Sequence, residues 1–449
     1  MNDESFSTEM LDTVAEYEKV IDLNKKRNDD ATNNGEHKLP TVMCAQYLLS
    51  KHHFIMVGRD SSAPLGVYLG DRIGIYTTDT VTIQRLIYQE DRRYTKRDVE
   101  DVMFKITMLV KSKPQENNSN LIPVANGIYN VKEHRLQPFT KDLVFTNKVA
   151  TKWVENAPKP SWDVDEWLSV IANHNPDVVT LLWQIIAECL NGNYTRGKFF
   201  IFVGSGNNGK GTFQELLNNL IGKENVSSLR MEQIGDRFSP STMAGKVANI
   251  GDDIKGDFLP DSQNILSITT GDTVTLEEKG KQAYSVNLKC ALVFSANKIP
   301  KIKNTSNGLY RRMCIVPFLA DFTGDVEDLS IKTEKILRSD VQEYILFKAL
   351  SQDFERFIEP DVVKNMLNEY KKFNDPVVEF YQEIWTDDEY SSCQRIPTDY
   401  VYQSYVRYCD AANYGVKSLR SFVIEFEKML GMQWEKKKAR PGSDFMDNE

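Results

Sequence analysis

The sequence predicts an α/β protein with a mostly parallel central sheet. Short runs rich in apolar and β-branched residues occur at 199–203, 246–250, 290–294 and 314–318, as in strands that are buried on both faces. The stretches between these runs are long enough for crossover helices or hairpins. A glycine-rich segment directly follows the first run and leads into a helical pattern. Ligands of such sheets bind beyond the carboxyl ends of the strands, so the chemistry is expected there.

Composition indicates an ordinary folded, soluble protein. The 449 residues, of which 41% are hydrophobic and 27% charged, exclude extensive disorder and fibrous repeats. A chain of this length allows about three domains. The formal net charge of −9 argues against a surface that coats DNA or membranes uniformly, so any basic surface is local.

The cysteines and the amino terminus indicate a cytoplasmic protein. The six cysteines form no CxxC pair, which disfavours a disulfide framework and a zinc ribbon. The first residues, MNDESFSTEM, lack the basic and apolar parts of a signal peptide. No apolar run approaches the roughly 18 residues that cross a bilayer, so no membrane partner is expected.

The part of the chain before the sheet divides into two regions. Residues 1–36 predict a short amphipathic helix and a polar linker, and residues 37–194 predict an α+β region that ends in a helical collar. Within this region, strands are predicted at 54–57 and 74–78, and a helix over 96–110.

The collar includes a helix whose two ends are marked in the sequence. Asn175 is suited to the N-cap, and Pro176 is suited to the first helical position. An apolar stripe follows, and Asn191 with Gly192 marks the stop.

The strongest functional signal is the glycine-rich segment GSGNNGKGT after the first strand. Its glycines let successive backbone amides turn toward a polyphosphate, and the positive end of the next helix faces the same charge. Lys210 would reach the β- and γ-phosphates of ATP. The strict P-loop pattern has Ser or Thr directly after this lysine, whereas here Gly211 precedes the hydroxyl of Thr212. The predicted nucleotide-binding residues are Gly204, Gly206, Asn207, Asn208, Gly209, Lys210, Gly211 and Thr212.

Two other strand ends carry side chains suited to phosphate chemistry. The second run ends in Asp252 and Asp253; Asp252 would hold Mg²⁺ together with Thr212, and Asp253 would polarise the attacking water. The third run is followed by Asn297, which could orient that water. Taken alone, such residues are more often a solvated turn or a helix cap.

A pair of arginines, Arg311 and Arg312, precedes the last strand. Hydrolysis of a nucleoside triphosphate needs a cation that neutralises charge on the transferred phosphoryl group. Either arginine could supply it, and a solvated pair is the alternative. The candidate catalytic residues are Asp253, Asn297, Arg311 and Arg312.

Taken in chain order, the segments GSGNNGKGT, ANIGDD, TGDTVTLEEKGKQ, LVFSAN and GLYRRMCIVPF resemble the superfamily 3 helicases. The resemblance is to the phage and plasmid primase-helicase family related to the poxvirus primase-helicase. It is close over residues 195–318. Residues 122–153 resemble the region that precedes the motor in that family, and the chain from about 375 resembles its winged-helix extension.

The resemblance implies an AAA+-like P-loop motor that uses ATP and Mg²⁺. It implies a homo-oligomeric ring, usually a hexamer, around single-stranded DNA, with ATP bound between subunits. Lys210 and Thr212 match the first nucleotide motif, Asp252 and Asp253 the second, and Asn297 the sensor. Arg311 or Arg312 matches the finger that enters a neighbour's site, and the pattern does not distinguish the two.

Longer members of the family often carry a primase or primase-like domain ahead of the motor. Residues 1–190 show no acidic cluster for catalytic metals, and the five histidines lack paired metal spacing. We therefore expect a helicase without primase activity.

A hairpin is predicted at 269–287, in the motif that the family places in the ring channel. Two β-favouring stretches flank EEKGKQ, where Lys279 and Lys281 lie beside a glycine and could follow a phosphate backbone. The alternative is a solvated hairpin with a charged turn. The order of the motifs favours DNA binding.

The carboxyl-terminal part predicts a helix, a turn, a second helix and a wing. Residues 395–440 hold nine basic and five acidic residues, in contrast to the acidic chain as a whole. Solvated charge explains the basic run equally well. The candidate DNA contacts here are Lys417, Arg420, Lys436, Lys437 and Lys438.

These observations predict an ATP-dependent DNA helicase or replication initiator of a phage, plasmid or mobile genetic element. Its motor would span 195–325, followed by a helical segment at 326–373 and a winged-helix-like DNA-binding domain at 374–449. Origin or fork DNA is the expected substrate, and a host or element-encoded primase or polymerase is a candidate partner. Two alternatives remain open: a DNA-binding initiator that ATP only switches, and a monomeric phosphoryl-transfer enzyme such as a nucleotide kinase.

Overall fold

The structure, a computed structural model, divides the chain into two units, Met1–Asn156 and Ala157–Glu449. The collar predicted at the end of 37–194 therefore lies in the same unit as the large sheet. The structure describes residues 38–59, 63–192, 194–254, 258–259, 263–280, 283–302, 307–324, 327–385, 396–412 and 414–431.

Several sequence predictions fall outside these described residues. They are the helix and linker at 1–36, the hairpin residue Lys281, and the basic run of Lys436, Lys437 and Lys438 with the wing around it.

The first unit contains two small sheets. One has the strand order β3-β2-β1-β4, and the other is an antiparallel meander of β5, β6 and β7. The elements are α1 (Thr41–Lys51), β1 (Phe54–Val57), β2 (Leu65–Tyr68), β3 (Tyr76–Thr77), α2 (Thr80–Glu90), α3 (Lys96–Leu109), β4 (Ser112–Lys113), β5 (Leu121–Val124), β6 (Gly127–Asn130) and β7 (Arg135–Gln137). The predicted strand at 54–57 and the helix from Lys96 are confirmed, whereas the strand predicted at 74–78 is reduced to β3.

Alternation along β1 explains the core of the first unit. Phe54 and Met56 face the cluster formed with the three helices, whereas Ile55 and Val57 face the opposite side of the sheet. Successive strand residues point to opposite faces, so a fully apolar strand is buried on both.

The second unit is built on a five-stranded parallel sheet with the order β16-β8-β14-β10-β9. The predicted parallel sheet is thus confirmed. The elements are α4 (Val164–Ile171), α5 (Pro176–Leu190), β8 (Phe199–Val203), α6 (Lys210–Ile221), β9 (Val226–Ser227), β10 (Ala248–Asp253), β11 (Phe258–Leu259), α7 (Gln263–Thr270), β12 (Thr273–Leu276), β13 (Tyr284–Asn287), β14 (Ala291–Ala296), β15 (Lys301–Ile302), α8 (Asn307–Arg312), β16 (Met313–Pro317), α9 (Ser330–Thr333), α10 (Ser339–Leu350), α11 (Asp361–Phe373), α12 (Pro376–Phe380), α13 (Thr398–Ala412) and α14 (Leu419–Leu430).

Strand β8 lies inside this sheet and is covered on both faces. Phe199 and Ile201 belong to the main core cluster on one face. On the other face, Phe202 contacts Phe213 of α6, with ring centroids 5.5 Å apart. This double burial accounts for the run of aromatic and β-branched residues in β8.

Helix α5 begins and ends where the sequence predicts. The Asn175 side chain accepts hydrogen bonds from the backbone amides of Asp177 and Val178, and Pro176 occupies the first turn. These bonds satisfy amides that have no partner within the helix.

The predicted hairpin is present as β12 and β13, which pair antiparallel from Thr273 opposite Asn287 to Leu276 opposite Tyr284. Gly280, in the connection between the strands, has a φ of +80°, a backbone conformation that glycine adopts without strain.

The carboxyl-terminal helices pack around an aromatic cluster. Phe380, Tyr405, Phe422 and Phe426 are fully buried there, and the Tyr405 and Phe422 rings stack at 4.6 Å. The two helices predicted before the wing are present as α13 and α14. No described helix is both long enough and apolar enough to span a bilayer.

Candidate nucleotide-binding site

The parallel sheet brings three of the predicted segments to one edge. The glycine-rich loop follows β8, Asp252 and Asp253 end β10, and Asn297 follows β14. Because these strands run in the same direction, their carboxyl ends meet at this edge. The grouping that the sequence predicts for the three segments is therefore present in the fold.

Lys210 links the loop to β14. Its side chain is buried, and Nζ donates to the Gly204 carbonyl oxygen and to Asn297 Oδ1, the latter at 3.2 Å. Burial lowers the pKa of Lys210, and the charge of Asp253 acts in the opposite direction. The Lys210 ammonium group and the Asn297 side-chain amide thus lie within hydrogen-bond distance of each other.

Asp253 is oriented by the neighbouring strand. Ser295 Oγ of β14 donates a 2.9 Å hydrogen bond to Asp253 Oδ1, and the two residues are Cα partners in the sheet. Asp252 is exposed. Ser295 is not among the residues that the sequence predicted for this site, although a hydroxyl within an otherwise apolar buried strand is a usable signal.

The loop conformation depends on its glycines and on Asn208. Gly206 and Gly209 have φ angles of +115° and +86°, in the region that favours glycine. A Cβ atom on Gly204 would lie 1.9 Å from Asn208 Nδ2 and 2.5 Å from the Phe318 carbonyl oxygen. No side chain fits at position 204 without moving the loop.

Asn208 supplies an unused donor inside the loop. It is 3% exposed, and its Nδ2 has no hydrogen-bond partner among the described residues. A buried donor without an acceptor is costly, and a phosphate oxygen in the loop would remove that cost. The loop therefore fits a polyphosphate.

The predicted Mg²⁺ ligands have suitable chemistry. Thr212 lies in the first turn of α6 and is partly exposed, and Asp252 is exposed. The described residues contain no cluster of three His, Cys, Asp or Glu side chains that could hold a metal. Mg²⁺ at phosphate sites commonly uses one or two protein oxygens, with phosphates and waters completing its coordination, so these residues fit the ion.

Arg311 and Arg312 lie at the opposite edge of the sheet. They end α8, and Met313 of β16 pairs with Phe199 at the start of β8. The five residues of each strand separate the two edges by about 16 Å. Neither arginine is therefore placed to contact a phosphate in the loop of its own chain.

The two arginines have different surroundings. Arg312 is partly buried, and its Nη1 donates to the Gly308 carbonyl oxygen of the same helix at 3.0 Å. Arg311 is exposed, and its backbone oxygen accepts a 2.9 Å hydrogen bond from Lys198 Nζ. The Arg311 side chain is the more available of the two.

The structure separates the candidate DNA contacts into two groups. Lys279 in the hairpin turn and Arg420 on α14 are exposed. Lys417 is instead engaged by two carboxylates, Asp375 at 2.9 Å and Glu425 at a shorter distance. Burial acts to lower the pKa of Lys417, but the two carboxylates raise it overall. Lys417 joins the start of α12 to α14, a role the sequence did not predict.

Three protein-family models match separate parts of the chain. Residues 75–172 match "D5 N terminal like", and residues 372–449 match "Poxvirus D5 protein-like". Residues 202–312 match a family of unknown function, DUF5906. This last match contains every residue of the candidate nucleotide site.

Two helicase-named viral proteins are similar in sequence. The 184R protein of Invertebrate iridescent virus 6 is 23% identical over 238 residues, which are 49% of this chain and 24% of that protein. The L207/L206 protein of Acanthamoeba polyphaga mimivirus is 23% identical over 270 residues, which are 54% of this chain and 26% of that protein. The chain thus spans about a quarter of the length of these curated relatives.

Solved structures of the NrS-1 carboxyl-terminal region are similar in fold. One apo structure has a TM-score of 0.52 at 12% identity, covering 91% of this chain and 98% of that one. A second, the A form, has a TM-score of 0.50 at 13% identity and covers 88% and 92%. At this level of identity the likeness concerns the fold alone.

Proposed function

We propose that this chain, a relative of the D5-type primase-helicases, is the ATP-hydrolysing motor of a DNA helicase that acts in replication of a phage, plasmid or other mobile element. The observation that carries the proposal is the meeting of Lys210, Asn297 and Asp253 at the carboxyl edge of one parallel sheet. It corresponds to the P-loop, sensor and acidic motif expected of an AAA+-like motor.

Binding of the triphosphate would use the loop and the start of α6. Backbone amides of the loop and the positive end of α6 favour the phosphate charge. Lys210 would exchange its bond to the Gly204 carbonyl for a phosphate oxygen, and Asn208 Nδ2 would gain an acceptor. Bound Mg²⁺ would neutralise phosphate charge, with Asp252 and Thr212 as its available protein ligands.

Hydrolysis would use the two residues that follow the neighbouring strands. The Ser295 hydroxyl fixes Asp253 Oδ1, which leaves Oδ2 to accept a hydrogen bond from the attacking water. Asn297, already within reach of Lys210, would place that water in line with the γ-phosphorus. Such positioning and electrostatic stabilisation account for most catalysis of phosphoryl transfer.

Strand movement would depend on contacts between copies of the chain. The location of Arg311 at the far edge of the sheet supports its use as the finger in a neighbour's nucleotide site. The β12–β13 hairpin, with exposed Lys279 at its turn, would follow single-stranded DNA through a ring. Arg420 and the residues Lys436, Lys437 and Lys438 would contact origin or fork DNA.

The direct test is the Lys210→Ala variant. We expect it to lose ATP hydrolysis and forked-DNA separation while it keeps its fold and its affinity for DNA, because one phosphate contact is removed from an existing site. Lys223→Ala is the matched control, since Lys223 lies just beyond the other end of α6 and is exposed.

Two outcomes would contradict the proposal in different ways. Wild-type ATP turnover in Lys210→Ala would show that the glycine-rich loop is not the nucleotide-binding site. The wild type could instead hydrolyse ATP but fail to separate forked DNA at any protein concentration. That result would favour a DNA-binding initiator that ATP only switches.

A further inference from the structure

We propose that Tyr370 and Asn374 of α11 are positioning residues for ATP hydrolysis, and that they act through Asn297. The inference rests on the proposed function and extends it to the carboxyl-terminal helices. The connection is the five-residue segment from Lys298 to Ile302, which directly follows Asn297 and which we call the sensor segment.

Two hydrogen bonds tie α11 to the backbone of the sensor segment. The Tyr370 hydroxyl donates to the Pro300 carbonyl oxygen at 2.6 Å. Asn374 Oδ1 accepts from the Ile302 amide at 2.8 Å, and its Nδ2 donates to the Tyr370 carbonyl oxygen at 2.8 Å. The two side chains therefore hold the segment at positions two residues apart.

These contacts lie in the interior of the unit. Tyr370 is 7% and Asn374 is 4% exposed, and Ile299 and Ile302 of the segment are 6% and 2% exposed. Tyr370 and both isoleucines belong to the main core cluster. Buried hydrogen bonds of this kind are directional and costly to leave unmade, so they define the path of the segment.

The segment is too short to absorb a displacement. Pro300 is separated from Asn297 by two residues, and buried Ile299 is one of them. A shift of the backbone at Pro300 would therefore move Asn297 away from Lys210 and from the attacking water. A misplacement of about 1 Å in a positioned group is enough to reduce turnover by up to about a hundredfold.

The same residues lead to the carboxyl-terminal helices. Asn374 is the C-cap of α11, and Asp375, next in the chain, is the N-cap of α12. Asp375 also pairs with Lys417, just before α14. A second link, the ion pair between Lys301 and Glu379, joins the sensor segment to α12. The placement of Asn297 thus depends on helices outside the sheet.

The test removes a single hydroxyl with Tyr370→Phe. We expect kcat for ATP to fall about threefold to tenfold with KM for ATP and nucleotide affinity unchanged, because the affected group acts on the attacking water. Tyr94→Phe is the matched control: it removes the hydrogen bond from a buried tyrosine hydroxyl to the Leu39 carbonyl oxygen, at 3.1 Å, in the first unit.

A double variant distinguishes positioning from general destabilisation. In an Asn297→Ala background, Tyr370→Phe should cause no further loss of kcat, since its effect passes through Asn297. The inference is overturned if Tyr370→Phe lowers kcat equally in both backgrounds, or if Tyr370→Phe alone has wild-type kcat. In either case, ATP hydrolysis by the wild type would leave the proposed function intact.

Asn374 gives an independent check with a conservative rescue. Asn374→Ala should lower kcat, and Asn374→Asp should restore part of it, because one carboxyl oxygen can still accept from the Ile302 amide, whereas the bond that Asn374 Nδ2 donates to the Tyr370 carbonyl oxygen is lost when the carboxyl is ionised. If Asn374→Asp, folded as judged by its unfolding midpoint, is as slow as Asn374→Ala, the contact with the segment is not what sets turnover and the inference fails.

Discussion

At the scale of single residues, a buried ion pair joins the last turn of α5 to the segment that precedes β8. The Glu188 side chain is 2% exposed and that of Arg196 is 15%. The Arg196 guanidinium contacts this carboxylate and lies over the rings of Tyr194 and Phe354. Burial raises the pKa of Glu188, and Arg196 acts in the opposite direction.

We expect Arg196→Met to lower the free energy of unfolding by about 3–5 kcal/mol at neutral pH, because it leaves a buried carboxylate unpaired. Urea denaturation measures the change, with Lys96→Met as the control, since the Lys96–Glu100 pair is exposed. A double variant with Glu188→Gln should recover part of the loss.

The pH dependence of this deficit has a definite sign. Without Arg196, the pKa of Glu188 in the folded state lies further above its unfolded value of 4.5. Stability of the variant is then highest below that value and falls as pH rises through the folded-state pKa. A deficit that stays constant from pH 4 to pH 8 would contradict this explanation.

At the scale of elements, the hairpin shows how far local sequence signals reach. Its β-favouring stretches and the glycine in its turn predict β12 and β13 correctly, and the Asn175 cap predicts α5. These signals act over a few residues. Lys417 had no such signal, because its partner Asp375 is 42 residues away. The hydrogen bond from Tyr370 to Pro300 joins residues 70 positions apart, and no local sequence signal predicts it either.

For the hairpin, we expect Lys279→Ala to weaken binding of single-stranded DNA and to reduce the salt dependence of binding. Each lost phosphate contact should lower the slope of log K against log salt by about 0.7. Lys132→Ala is the control, because Lys132 is exposed in the turn between β6 and β7 of the other unit. An unchanged slope in a titration by fluorescence anisotropy would exclude Lys279 from the DNA contact.

At the scale of the whole molecule, the sequence predicted the parallel sheet but did not show which helices belong to the same unit as that sheet. The second unit begins at Ala157 and so includes α4 and α5, whose apolar residues, among them Trp167 and Leu181, are buried. Periodicity marks these helices as amphipathic or apolar. It does not say which sheet they cover, since that depends on tertiary packing.

We expect the Lys210→Ala and Arg311→Ala variants to be inactive alone and to regain turnover when mixed. In a random equal mixture, about a quarter of the interfaces would join an intact loop to an intact finger. Arg312→Ala should keep more activity alone, since its guanidinium bonds within α8. Absence of recovery, together with a specific activity that does not change with protein concentration, would contradict an interfacial site.

The location of Lys210 and Arg311 at opposite edges of one sheet affects how many complete reaction centres an assembly of several copies can contain. Under the proposed function, each copy would carry the phosphate-binding loop of one interfacial reaction centre and the arginine finger of another. An open row of copies has one centre fewer than it has members, and only closure makes the two numbers equal. The last copy to join would therefore complete two reaction centres at once. ATP turnover per chain is then expected to rise on ring closure.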